Sequence, residues 1–160
     1  MRILIADNEV CRVLNSQILS TLAKYGSVDI VKNGRAAVLA YVNAGSRDAF
    51  YDQIILDQNL TVLDGFETVE MIRFYELEHR KYGKRTMICV ISDGASCHQQ
   101  HEVRYGLDER THLVQKPVND DLIMSLAASV AAECEINSNS NHVPMSKRQL
   151  SSSSVWEYAQ

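Results

Sequence analysis

Four short polar groups along this chain have residue types suited to phosphoryl and metal chemistry, and each follows directly on a run of strand-forming residues. Asp7-Asn8-Glu9 follows Ile3–Ala6, Asp57 follows Ile54-Ile55-Leu56, Ser92-Asp93 follows Met87–Ile91, and Lys116 follows His112–Gln115. Carboxylate and amide oxygens suit a hard cation such as Mg2+, which takes oxygen ligands and keeps several waters. A lysine ammonium is a point-charge partner for phosphate oxygens, and a serine hydroxyl can donate to the same oxygens. An aspartate carboxylate can itself be the nucleophile and form an acyl phosphate. Each residue also has a plain alternative: Asp7, Asp57 and Ser92 could cap helices, and Lys116 could be a surface charge. Brought together, Asp7, Asn8, Asp57, Ser92 and Lys116 form a pocket able to phosphorylate Asp57, with Mg2+ and Lys116 stabilising the charge on the transferring group.

The elements needed to bring them together are written in the pattern. Ile3–Ala6, Val28–Val31, Gln53–Leu56, Met87–Ile91 and His112–Gln115 read as strands, the last and least apolar at an edge. Residues 10–25, 35–43, 65–82, 96–105 and 119/120–136 read as helices, the fourth a polar, His-rich one without an apolar stripe. The charged stretch Glu76–Lys84 is expected to project into solvent. Strand–helix alternation predicts an α/β, doubly wound five-stranded parallel sheet with helices on both faces. In the strand order 2-1-3-4-5, the first and third strands meet at the switch point, where ligands bind beyond the strand ends. Residues 1–136 form one domain on this reading. Residues 137–160, rich in Ser and Asn, cannot bury enough apolar surface to offset their ordering entropy and are expected to be a disordered polar tail.

Composition narrows the function classes. Sixteen Lys and Arg against 20 Asp and Glu give a net charge of -4, which argues against a general nucleic-acid binder. The cysteines Cys11, Cys89, Cys97 and Cys134 form no C-x-x-C pair and read as reduced packing thiols. His98 and His101 stand i, i+3 apart with no evident third ligand and read as a solvated face. No apolar run approaches the roughly 18 residues of a membrane span. A soluble protein, cytoplasmic or also nuclear, is the expectation. Neither G-x-G-x-x-G nor a phosphate-binding G-x-x-x-x-G-K-S/T is present.

The pieces ILIADNE, LDQNLTVLDG, VISDG and VQKP, in this order and spacing, resemble the receiver domain of response regulators in two-component and phosphorelay systems. The resemblance covers about Ile3 to Ile136 and is greatest to short stand-alone plant response regulators of the type-C group in the cytokinin phosphorelay. It implies a flavodoxin-like receiver fold, Asp57 as phosphoacceptor, and Ser92 and Lys116 as its catalytic partners. It also implies a Mg2+ site of Asp7, Asn8, Asp57 and the backbone carbonyl of Asn59. The implied donor is a histidine-containing phosphotransfer protein, itself loaded by a hybrid histidine kinase. No DNA-binding domain or membrane contact is implied, and the expected state is a monomer or weak dimer. Such a receiver is no conventional enzyme: it catalyses its own phosphorylation and dephosphorylation, and acts through partner binding or as a phosphate sink. The rivals are a pseudo-receiver that binds without being phosphorylated and a phosphohistidine phosphatase.

Four departures from the family pattern bear on this. Asn8 replaces a carboxylate, which removes a negative charge from the metal site and predicts a higher Mg2+ requirement that Asn8→Asp would lower. Thr61 replaces a proline, which is expected to loosen the loop after Asp57, since proline fixes φ. Asp93 stands where a small residue is usual, either repelling a phosphodonor or pointing into solvent. Leu113 occupies the usual aromatic switch position, with His112 beside it as a possible substitute. Asp64-Gly65 is expected to shape the turn into the third helix.

Overall fold

A computed structural model describes residues 1–8, 16–80, 85–93, 108–118 and 120–139. Five strands, β1 (Arg2–Ala6), β2 (Ser27–Val31), β3 (Gln53–Asp57), β4 (Met87–Ser92) and β5 (Thr111–Gln115), form one parallel sheet in the order β2-β1-β3-β4-β5. The described helices are α1 (Ser16–Tyr25), α2 (Gly34–Gly45), α3 (Gly65–His79) and α4 (Asp120–Asn139). No helix among the described residues is long and apolar enough to cross a membrane.

The alternation of side chains along each strand sorts the apolar residues into two cores. Leu4, Ala6, Ile54, Leu56, Ile88 and Val90 face one way, onto Ala37, Val38 and Tyr41 of α2 and Phe66, Val69 and Ile72 of α3. Ile3, Ile5, Ile55, Cys89, Ile91 and Val114 face the other way, onto Leu22 of α1 and Ile123 and Ala127 of α4. Every residue of β3 and β4 is buried, as continuous apolar runs in a two-sided sheet require. The register pairs Ala6 with Leu56 and Asp57 with Ile91. The carboxyl ends of β1, β3 and β4 therefore lie level.

The predicted strand order and layering are as found, with β5 at an edge. The start of the first predicted helix, residues 10–15, and the helix predicted over 96–105 lie outside the described residues, as do His98, His101, Cys11, Cys97 and the tail from residue 140. Helix α4 continues to Asn139, past the expected end at Ile136. Helix α3 stops at His79 rather than Tyr82, because Arg80 leaves the helical region at φ −105° and ψ 77°.

The expectation that Glu76 projects into solvent is wrong. Glu76 is 1% exposed. Its carboxylate accepts from Tyr41 Oη at 2.7 Å, the Thr86 backbone N–H at 2.8 Å, and the guanidinium groups of Arg73 and Arg80 at 2.6 and 3.4 Å. Arg73 and Arg80 flank it at i−3 and i+4 on the same helix face, so a run that looks uniformly polar contains one anion turned inward. Burial, and then the Glu76 carboxylate, push the Tyr41 hydroxyl well above its ordinary pKa, so it acts as a donor. Arg73 also reaches the Arg110 carbonyl at 3.0 Å and Thr111 Oγ1 at 2.9 Å. The network thus ties α3 to the starts of β4 and β5. Glu76→Ala leaves two arginines, a tyrosine and an amide without their partner and is expected to cost about 3–5 kcal/mol; urea denaturation of the two proteins measures it.

Candidate functional site

The sheet ladder continues one residue beyond the strands and sets the ends side by side. The Gln58 N–H donates to the Ile91 carbonyl at 2.8 Å, and the Lys116 N–H to the Ser92 carbonyl at 2.8 Å. Asp7, Asp57 and Ser92 are all buried there, at 3%, 5% and 1% exposure. β5 does not neighbour β3, so the Lys116 side chain spans the end of β4 to place Nζ 3.3 and 3.5 Å from the two carboxylate oxygens of Asp57. The Lys116–Pro117 peptide is cis.

Asp57 does not cap the following helix. That is done by Asp64, whose carboxylate accepts from the Glu67 N–H at 2.8 Å while Glu67 accepts from the Asp64 N–H at 2.9 Å, a capping box. Asp64-Gly65 shapes the turn, as expected. Gly65 is required by crowding: a Cβ there would sit 2.7 Å from the Asp57 carbonyl oxygen and 2.9 Å from Gln58 Cα. Between them Leu60 is buried and anchors the loop to the core. Val62 sits at φ 73°, closed by the Leu63 N–H to the Thr61 carbonyl at 2.9 Å. This three-residue turn is strained for a β-branched side chain, and Val62 is exposed.

Asn59 joins the site together. Its backbone N–H donates to Asp57 Oδ1 at 3.2 Å, its side-chain amide donates to Asp93 Oδ2, and its carbonyl accepts from Asn8 Nδ2 at 2.5 Å. The other end of the Asn8 amide, Oδ1, accepts from the Thr61 N–H at 3.1 Å and Thr61 Oγ1 at 3.2 Å. In place of the constraint that proline would give, Thr61 supplies a backbone donor that proline lacks, and Asn8 accepts from it. Nor does Asp93 simply point into solvent. Its carboxylate is half-exposed yet lies 2.8 Å from Lys116 Nζ, closer than Asp57 does. Partial burial pulls the Lys116 pKa down, but the Asp93 and Asp57 carboxylates outweigh it and leave the pKa raised.

The predicted residues Asp57, Lys116, Asn8 and Asn59 are linked by these bonds, and Asp7 and Ser92 stand at the adjoining strand ends. Leu113 is partly buried against the core. The carboxylates of Asp7 and Asp57 are the right donors for a hard cation. The Asn59 carbonyl and the Asn8 amide, however, are bonded to each other, so this half of the expected ligand set does not fit a cation as arranged. Among the described residues no group of three or more His, Cys, Asp or Glu is placed to hold a metal. The sequence alone does not single out Thr61 and Gly65 as site residues, nor Asp93 as a partner of Lys116. Their contacts cross between loops, and the only signal was the departure of Thr61 and Asp93 from the family pattern.

Comparisons with known proteins agree with the fold. No protein-family model matches the chain. It is 24% identical over 152 residues to hybrid signal transduction histidine kinase I of Dictyostelium discoideum, matching 93% of this chain but only 8% of that protein's length. The receiver domain of the Saccharomyces cerevisiae response regulator Ssk1, solved with the histidine phosphotransfer signaling protein Ypd1, superposes with a TM-score of 0.63 at 20% identity, over 84% of this chain and 90% of that one. The receiver domain of the Arabidopsis thaliana histidine kinase CKI1, complexed with Mg2+ and BeF3-, gives 0.57 at 22%, over 80% and 89%. Vibrio cholerae chemotaxis protein CheY4 gives 0.57 at 23%, over 81% and 97%. The class follows: this chain has the fold of response regulator receiver domains.

The crowding at residue 65 predicts that Gly65→Ala forces the backbone after Asp57 to move. The expected cost is about 1–3 kcal/mol, with chemical-shift changes in the amides of Gln58 and Asn59 as the accompanying sign in a nitrogen–proton spectrum.

Proposed function

We propose that this domain accepts a phosphoryl group from a phosphohistidine donor onto Asp57. The observation that carries the proposal is the buried Asp57 carboxylate, with Lys116 Nζ 3.3 Å away, at the end of a central strand. One carboxylate oxygen attacks phosphorus, an acyl phosphate bond forms, the phosphorus–nitrogen bond breaks, and its electron pair leaves with the donor imidazole. Lys116 faces the oxygens that carry the developing charge, and the Ser92 hydroxyl stands on the next strand to donate to them. When bound, Mg2+ would neutralise the same charge, with Asp7 and Asp57 as its carboxylate ligands. Burial of Asp57 limits the water that can hydrolyse the product.

The donor class we propose is a histidine-containing phosphotransfer protein, as in the similar Ssk1 receiver solved with Ypd1, loaded upstream by a hybrid histidine kinase. The finer resemblance to short plant regulators of a cytokinin phosphorelay, acting in cytoplasm or nucleus by binding partners or draining phosphoryl groups, belongs to the same proposal. A pseudo-receiver is the second reading, and a specific observation favours it: Lys116 already holds an anion, Asp93, at 2.8 Å.

Incubation with a phosphorylated phosphotransfer protein tests both. Label retained on the wild type and absent from Asp57→Asn supports acceptance; rapid release as free phosphate supports a phosphatase or sink; no transfer at all supports the pseudo-receiver. Removing the competing anion separates the readings further. Asp93→Ala frees Lys116 and is expected to raise the rate of Asp57 labelling about tenfold, the equivalent of roughly 1.4 kcal/mol; an unchanged rate would show that Asp93 does not compete.

A further inference from the structure

The orientation of the Asn8 side chain is determined by its partners. The Thr61 N–H can only donate, so the atom facing it is Oδ1. The other end is then the NH2 group, and it faces the Asn59 carbonyl, which can only accept. This is the carbonyl that the family resemblance offers as a metal ligand. A carboxylate in place of Asn8, holding Thr61 in the same way, would turn its second oxygen onto that carbonyl. Two acceptors would then stand about 2.5 Å apart with no hydrogen between them, an arrangement that needs a cation or must open. With Asn8, the hydrogen is built in.

The remaining acceptors around Asp57 are served internally as well. Asp57 Oδ1 accepts from the Asn59 N–H and from Lys116 Nζ, and Oδ2 faces Lys116 Nζ at 3.5 Å. A cation reaching the Asn59 carbonyl meets an oxygen that already accepts from Asn8 and must compete with the amide hydrogen there. Rotating the Asn8 amide to offer its oxygen would place an N–H against the Thr61 N–H, donor against donor. Mg2+ binding is thus opposed both by the missing charge and by contacts already made.

We infer that the Asn8 amide takes the place of the divalent cation at this site: it latches the end of β1 to Asn59 and Thr61, so that the acceptor loop is held in order without metal and Mg2+ binds weakly. The inference rests on the receiver reading of this pocket for the identity of the ion. Its consequence is that Asn8 determines cation use. The loop conformation a partner meets, from Asn59 to the strained Val62, is the same with and without Mg2+.

Calorimetric titration with MgCl2 at constant ionic strength, together with thermal unfolding in EDTA and in millimolar Mg2+, tests this on the wild type, Asn8→Asp and Asn8→Ala. The wild type is expected to have the same Tm in both media and to bind Mg2+ about tenfold or more weakly than Asn8→Asp, because ligand charge sets affinity for hard cations. Asn8→Asp is expected to lose stability in EDTA and recover it in Mg2+, and Asn8→Ala to lose it in both. Wild-type binding as tight as that of Asn8→Asp, or an equal rise in Tm with Mg2+, overturns the inference. Should Asn8→Asp not fold in EDTA but fold in Mg2+, that supports it. The wild type alone also decides: Mg2+ at saturation of other sites should leave the Asn8 side-chain and Thr61 amide resonances unmoved, and shifts at both overturn the latch. Phosphotransfer is not read in any arm, so failure of the latch and failure of phosphoryl acceptance are distinguishable.

Discussion

A carboxylate almost cut off from water must be compensated in place, as Asp57 and Glu76 are. Asp57, at the carboxyl end of β3, is compensated by Lys116 reaching over β4 and by the Asn59 N–H. Glu76, near the opposite end of the sheet, is compensated by Arg73, Arg80, Tyr41 and Thr86. Removing a partner from a buried charge costs far more than a surface ion pair contributes, so each anion constrains several elements at once. At the Glu76 end Tyr41 and Arg73 lie within helices, and Arg80 and Thr86 directly adjoin a helix end and a strand start. At the Asp57 end the donors, Lys116 Nζ and the Asn59 N–H, come from residues beyond the strand ends.

The fold was legible because its determinants are local and periodic. Continuous apolar runs at Ile54–Leu56 and Met87–Ile91 can only be satisfied by burial on both faces, and the strand–helix alternation then leaves few topologies. Asp57 and Lys116 were legible for the same reason: each terminates a strand, and parallel strands bring such termini to one edge. Glu76 was not legible. Its neighbours Glu78 and His79 are polar too, and only the position of Thr86, ten residues on, and Tyr41, thirty-five residues back, turns that one carboxylate inward.

The chemistry of the pocket mouth was partly legible, and what stayed hidden has a common cause. Thr61 was judged by what it lacks relative to proline, and Asn8 by what it lacks relative to aspartate. Taken one at a time, each looks like a loss. In space they are 53 residues apart in sequence and bonded to each other, the threonine supplying the N–H that the amide oxygen uses. Pairs of substitutions that compensate across loops leave no periodic trace, so a single sequence shows them only as two unrelated departures.

The same geometry bears on what separates an active receiver from an inert one. Asp57, Ser92 and Lys116 all stand at the strand ends, so the residue types of the site do not distinguish the two. What distinguishes them is competition. Asp93 holds the lysine that a phosphoryl group would need, and Asn8 holds the carbonyl that a cation would need. Both holds converge on Asn59, through its side-chain amide and its carbonyl respectively. Because one residue serves both, the two contacts are expected to be coupled. Contacts that share a partner in this way are not additive. On the proposed reading, an incoming phosphoryl group would compete against an internal anion at Lys116, and a cation against an internal hydrogen-bond donor at Asn59, with one residue linking the two.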